Sequence, residues 1–94
     1  MKIFKYRLAA GAEINIVRGP IVKPLSVEFQ RGVPRLWAVV DTHLSDREFE
    51  VICVGTGQEM FDVSLDSYLN TTLSENGYLV LHWFCSEVQE GASV

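Results

Sequence analysis

Apolar residues fall at every second position through Leu25-Ser26-Val27-Glu28-Phe29-Gln30 and again through Val33 to Asp41, with Arg31-Gly32 between them. A period of two is the signature of a half-buried strand, and two such runs on either side of a short glycine-containing turn predict a β-hairpin. The same alternation marks Ile3 to Leu8, Glu13 to Arg18 and Glu48 to Val54. Further strands are expected near Tyr68 to Leu73 and from Tyr78 to Cys85. Asn76-Gly77 between these last two is a strong signal for a type I′ turn, which needs positive φ at both central residues. Pro20 and Pro24 belong at strand ends or edges, because proline cannot donate to a ladder. No helical stripe of useful length occurs. The pattern therefore predicts an all-β domain of seven strands, a small antiparallel sandwich or partly closed barrel.

At 94 residues the chain makes one domain. Residues 1–85 are read as its β domain and 86–94 as a flexible polar tail. No run approaches the roughly 18 apolar residues that span a bilayer. Lys2 and Lys5 interrupt the N-terminal apolar run, so no signal peptide is expected and a cytosolic location is. Two strands are apolar on both faces, Leu36 to Val40 and Tyr78 to Cys85. A second covered face implies a barrel-like wrap or a subunit contact, so a homo-oligomer is expected, with Leu79, Leu81 and Trp83 at its interface.

Charge adds an asymmetry. The net charge is −4, which argues against general nucleic-acid binding. Residues 1–35 hold seven cations against two acids, a balance of +5, whereas residues 36–94 hold Arg47 against ten acids, a balance of −9. Two consequences stay open: basic and acidic strands pair with each other, or a basic patch suited to an anion survives on an acidic protein.

Candidate chemistry is sparse. Cys53 and Cys85 form no CxxC and read as reduced, buried thiols. Asp41-x-His43 offers two polar groups without further metal ligands, and His82 sits inside an apolar run. No metal, no cofactor and no enzyme are expected. Gly55-Thr56-Gly57-Gln58 is either a strand-ending turn or a loop that presents backbone N–H groups to an anion. Trp37 shares a strand face with Arg35 and Asp41 at spacing two. A ligand pocket would combine Arg35, Trp37 and Asp41 with Gly55, Thr56, Gly57 and Gln58.

The order of segments resembles a family of small bacteriophage and prophage proteins, carried as a domain of unknown function. The resemblance rests on Gly32-x-Pro34-x-Leu36-Trp37-Ala38-Val39-Val40-Asp41, Gly55-Thr56-Gly57, Tyr68-Leu69-Asn70-Thr71 and Leu79 to Phe84. Members typically continue the glycine turn with histidine, where this chain has Gln58. The resemblance implies a phage-encoded accessory protein in the host cytosol and supplies no activity. Three functions follow as expectations: binding and interfering with a host defence component, sequestering an anionic nucleotide signal, or a minor structural part of the virion.

Overall fold

The computed structural model describes residues 1–74 and 76–89. Seven strands form two antiparallel sheets. The strands are β1 (Lys2–Arg7), β2 (Ile14–Gly19), β3 (Ile21–Gln30), β4 (Val33–Val40), β5 (Arg47–Gly55), β6 (Tyr68–Leu73) and β7 (Val80–Glu87). One sheet has the order β1-β4-β3, the other β2-β5-β7-β6. This is the expected all-β fold, in the form of a small sandwich of three and four strands. One 3-10 turn, Leu65–Ser67, precedes β6.

The alternation that opens the sequence becomes the packing. In β4, Pro34, Leu36, Ala38 and Val40 are buried, whereas Arg35, Trp37 and Val39 lie half-buried on the other face. Leu36, Val27, Ile21 and Val51 are fully enclosed between the sheets. Each such side chain contributes about 2 kcal/mol by leaving water. The expected β3–β4 hairpin closes through Arg31 (φ 53°) and Gly32 (φ 79°), with Gln30 paired to Val33. Positive φ at both central residues defines the type I′ turn, whose twist matches that of the strands.

Several details depart from the sequence reading. The turn at Asn76-Gly77 is wider than a two-residue hairpin. Gly77 has φ 75°, but its N–H donates to the Ser74 carbonyl, and the Asn76 Oδ1 accepts from Tyr78 N–H and from the Ser74 hydroxyl. The side chain of Asn76 holds the loop, and the type I′ geometry belongs to Arg31-Gly32 instead. β3 begins at Ile21 and contains Pro24, at an irregular register against β4. An edge strand tolerates the missing N–H. β7 continues through Glu87, so the sheet takes in the first two residues assigned to the tail. A bidentate Arg47–Glu87 pair at 2.9 Å and the Val88 N–H to Glu48 carbonyl bond extend it. Residues 90–94 of the expected tail lie outside the described residues.

Trp83 is also relocated. It is only 2% exposed, donates its indole N–H to Thr72 Oγ1 at 2.9 Å and meets Phe29 edge-on at 6.4 Å. It is a core residue of its own chain, not an interface residue. Leu81 packs against the same core, and Leu79 is 61% exposed. The second apolar face of β7 is covered from within at Phe84, which is 5% exposed with Tyr68 stacked edge-on against it at 5.6 Å, whereas Val80 on that face stays 38% exposed. Among the described residues no helix is long and apolar enough to cross a membrane.

The two sheets are joined along one seam by a side chain. Asn70 in β6 accepts from the Val27 N–H at 2.9 Å and donates to the Val27 carbonyl at 2.8 Å. Its amide satisfies one residue of β3 as a neighbouring strand would. β3 and β6, at one end of each sheet, meet at this seam, whereas β1 and β2, at the other ends, have outer backbone edges with no strand partner among the described residues.

Candidate functional site

The charge asymmetry of the chain is resolved by sheet. The three-stranded sheet and its turn carry Lys2, Lys5, Arg7, Lys23, Arg31 and Arg35 against Glu28 alone. In the four-stranded sheet both arginines are paired, Arg18 with Glu48 at 3.2 Å and Arg47 with Glu87 at 2.9 Å. Among the described residues, no cation of the three-stranded sheet forms a salt bridge. Basic and acidic strands therefore neutralise one another in the four-stranded sheet, where Arg18 of β2 meets Glu48 of β5, whereas the three-stranded sheet keeps a basic face without salt bridges among the described residues.

Pleating decides which of these cations meet. Residues paired across antiparallel strands project to the same face. Register places Lys5 beside Trp37 and Arg7 beside Arg35, with Ser26 and Glu28 on the far side of β4. Ile3, Lys5, Arg7, Arg35, Trp37 and Lys23 thus share the outer face. The Lys5 ammonium stands 5.6 Å from the centre of the Trp37 ring and donates to Gln30 Oε1 at 3.0 Å. Arg7 and Arg35 lie directly opposite, where like charges are destabilising. The Arg35 Nε is buried without a hydrogen-bond partner. Two costs are concentrated at one residue, in a position where a neutral side chain would avoid both. A carboxylate or phosphate arriving between Arg7 and Arg35 would relieve the like-charge contact, because guanidinium binds such groups through paired N–H donors.

Asp41 does not join this cluster. Its side chain accepts from the His43 backbone N–H at 3.0 Å, and its carbonyl accepts from Leu44 N–H at 2.9 Å. Asp41-x-His43 is a side-chain-to-backbone turn that shapes the β4–β5 loop.

The glycine turn lies elsewhere too. Gly55 to Gln58 ends β5 in the four-stranded sheet. The Gly55 carbonyl accepts from Gln58 N–H at 3.1 Å, and Gly57 takes φ 89°. Gly55 N–H donates to the Gln58 side chain at 2.6 Å, and Thr56 N–H to the Val80 carbonyl at 3.2 Å. Three of its four amides are thus engaged inside the protein, so the segment is a turn and no open anion cradle. Gln58 closes that turn with its own side chain. Thr56 Oγ1 contacts His82 Nε2 at 2.8 Å, and Thr71 Oγ1 contacts His82 Nδ1 at 2.9 Å and the Tyr68 hydroxyl at 2.7 Å. Both ring nitrogens of His82 are occupied by threonine hydroxyls, which pins β7 to β6 and to the glycine turn.

Gly55 and Gln58 line a cavity of about 570 Å³, together with Leu79, Leu81 and Trp83. Arg35, Trp37 and Asp41 do not line it. Of the seven residues expected to share a pocket, Arg35 and Trp37 lie on the outer face of one sheet, Gly55 and Gln58 line the cavity, and Asp41, Thr56 and Gly57 join neither. Strand order, which no local pattern encodes, separates them. Sequence reasoning counts Lys5 and Arg7 among the cations of residues 1–35 without placing them beside Trp37 and Arg35, and it misses the role of Asn70. Lys5 and Arg7 follow once β1 is known to pair with β4. Asn70 had a usable signal, since asparagine is depleted in strands and its presence there asks for a partner.

Among the described residues no three His, Cys, Asp or Glu side chains cluster as metal ligands. Burial pushes the Cys85 thiol up to about 12 and raises that of Cys53, so both stay protonated at neutral pH. Fold and surface together define a small β-sandwich domain with one basic, tryptophan-centred sheet face. The chain belongs to the family of a domain of unknown function, DUF7352, whose model matches residues 1–93. Comparison with curated proteins gives no match, and comparison with solved structures gives none.

Proposed function

We propose that this chain is a non-catalytic binding protein that engages an acidic protein partner through the outer face of the three-stranded sheet and the free edge of β1. In the phage setting that the resemblance implies, the partner is a host defence component met in the cytosol. The observation that carries this reading is the Arg7–Arg35 pair beside Trp37, a cationic cluster held at a cost to the fold. The shape of the surface favours a protein over a small molecule. Small-molecule sites are concave, and none of the three cavities described for the chain is lined by Arg35 or Trp37. β1 adds a strand edge flanked by Ile3 and Phe4, which are 62% and 38% exposed. A partner strand added there would gain main-chain hydrogen bonds and place acidic side chains over Lys5 and Arg7. Self-association across this edge is disfavoured, because an antiparallel copy would set Lys2, Lys5 and Arg7 against one another. A homo-oligomer, where one forms, uses another surface.

The test compares capture from host lysate by the native protein and by Arg7→Glu/Arg35→Glu. A target of this face is lost by the charge-reversed variant and weakened by salt. Identical captured sets for the two proteins overturn the proposal. A second reading, capture of an anionic nucleotide, draws on the same Trp37 and Arg35, with Lys5 swinging off the ring. A thermal-shift screen tests it: a nucleotide at 100 times its Kd adds about 2.7 kcal/mol of apparent stability.

A further inference from the structure

The cavity bordered by Gly55 and Gln58 has a chemistry opposite to that of the basic face. We propose that it is a binding site for a compact aromatic molecule that carries an amino group. Its volume, about 570 Å³, lies within the ordinary range of small-ligand sites. Its floor is Phe29, Pro34, Leu81 and Trp83. Phe29 and Trp83 already meet edge-on, an arrangement that accepts a further ring against either partner. The Trp83 indole N–H is committed to Thr72, so the tryptophan presents only carbon to the cavity. The body of the ligand is therefore apolar.

The charge of the ligand is set at the rim. Among the described residues, Glu13 is the only ionisable carboxylate lining the cavity, and neither lysine nor arginine lines it. Glu13 is exposed and takes part in no salt bridge among the described residues. A carboxylate or phosphate entering here would face Glu13 with no compensating cation, whereas an ammonium would pair with it. The Gln58 carboxamide oxygen is held by Gly55 N–H, which leaves the amide nitrogen at the rim as a further polar contact. The cavity and the basic face are therefore two sites of opposite selectivity, and this one does not depend on the protein-binding reading.

The experiment titrates the isotope-labelled full chain with 2-phenylethylamine, 2-phenylethanol and 3-phenylpropionate, which share a ring and a two-carbon arm and differ in charge. Titration runs to about 20 mM, because ligands of this size bind in the millimolar range. The readout is the pair of tryptophan indole N–H signals in a nitrogen–proton correlation spectrum. The Trp83 signal should move and the Trp37 signal should not. The amine should bind roughly two- to fivefold more tightly than the alcohol, the scale of one solvent-exposed charge pair, and the carboxylate should bind most weakly. Glu13→Gln should leave alcohol binding intact and remove the advantage of the amine. Leu79→Arg, a change at an exposed position of the rim, should abolish binding of all three with the dispersed spectrum retained. Silence of Trp83, movement of Trp37 in its place, carboxylate binding equal to that of the amine, or undiminished binding to Leu79→Arg each overturns the proposal.

Discussion

Replacing Arg35 by methionine should make the protein more stable and a poorer binder. Methionine keeps an unbranched stem of similar reach along Trp37 and removes the guanidinium. Two unfavourable contributions go with it. Arg35 faces Arg7 across β1 and β4, a like-charge pair that costs about 0.2–1 kcal/mol. Its buried Nε has no partner, a deficit of roughly 1–3 kcal/mol when fully desolvated and less here, where the side chain is only half-buried. One favourable contribution is lost, the attraction of Glu28 on the opposite strand, at most about 0.5 kcal/mol for an exposed pair. The balance is a gain of about 1 kcal/mol, or 4–8 °C in Tm for a domain of this size. Urea unfolding should show a higher midpoint with an unchanged slope, because the surface exposed on unfolding barely alters. Arg7→Met relieves only the like-charge contact and should gain about half as much. A loss of stability in Arg35→Met would refute the reasoning, since the guanidinium would then be a structural element of the sheet. A stabilised variant that captures its partner undiminished would detach the cluster from binding.

Asn70→Ala should cost about 2–4 kcal/mol, because it strands the N–H and carbonyl of Val27 with no neighbouring strand to replace the amide. Chemical denaturation measures this, and a loss below about 0.5 kcal/mol contradicts the bridging role. Gly57→Ala meets open space but forces alanine to φ 89°, so it should cost about 1–2 kcal/mol from backbone strain alone and leave the sheet face functional. The Cys85 thiol is held at about 12 by burial, above its ordinary 9.0. Its neutral form is the one the fold favours, so its contribution is complete below pH 9 and is lost as pH rises towards 12. The urea midpoint should fall across that window, and Cys85→Val should flatten the fall; an identical decline in the variant assigns alkaline unfolding to other groups.

Strand positions were legible because each depends on local alternation. Leu36, Ala38 and Val40 point inward for the reason visible in the sequence, and Arg31-Gly32 turns where the apolar periods meet. The errors have local causes of another kind. Trp83 lies in a strand apolar on both sides, and periodicity alone does not say whether such a face is covered by a second subunit or by Tyr68 of the same chain. Glu87 looked like tail because its partner, Arg47, is forty residues away. For the candidate site, the shared face of Arg35 and Trp37 follows from spacing within β4. Its completion by Lys5 and Arg7 needs the pairing of β1 with β4, and the separation of Gly55 to Gln58 from that face needs the division into two sheets. Pairing across more than twenty residues is set by the whole core and leaves no short-range mark.

The two free edges differ in what they invite. β1 carries Lys2, Lys5 and Arg7, which repel a second basic strand. β2 has no lysine and meets its first cation only at Arg18, after Ile14 and Ile16, which are 54% and 57% exposed. Such an edge is a template for unspecific strand stacking, held in check mainly by the net charge of the molecule. The sequence pI is about 5.0, so that protection vanishes in mildly acidic buffer. The protein should therefore be handled well above pH 5, and a single lysine at position 16 is the change that would harden it against precipitation.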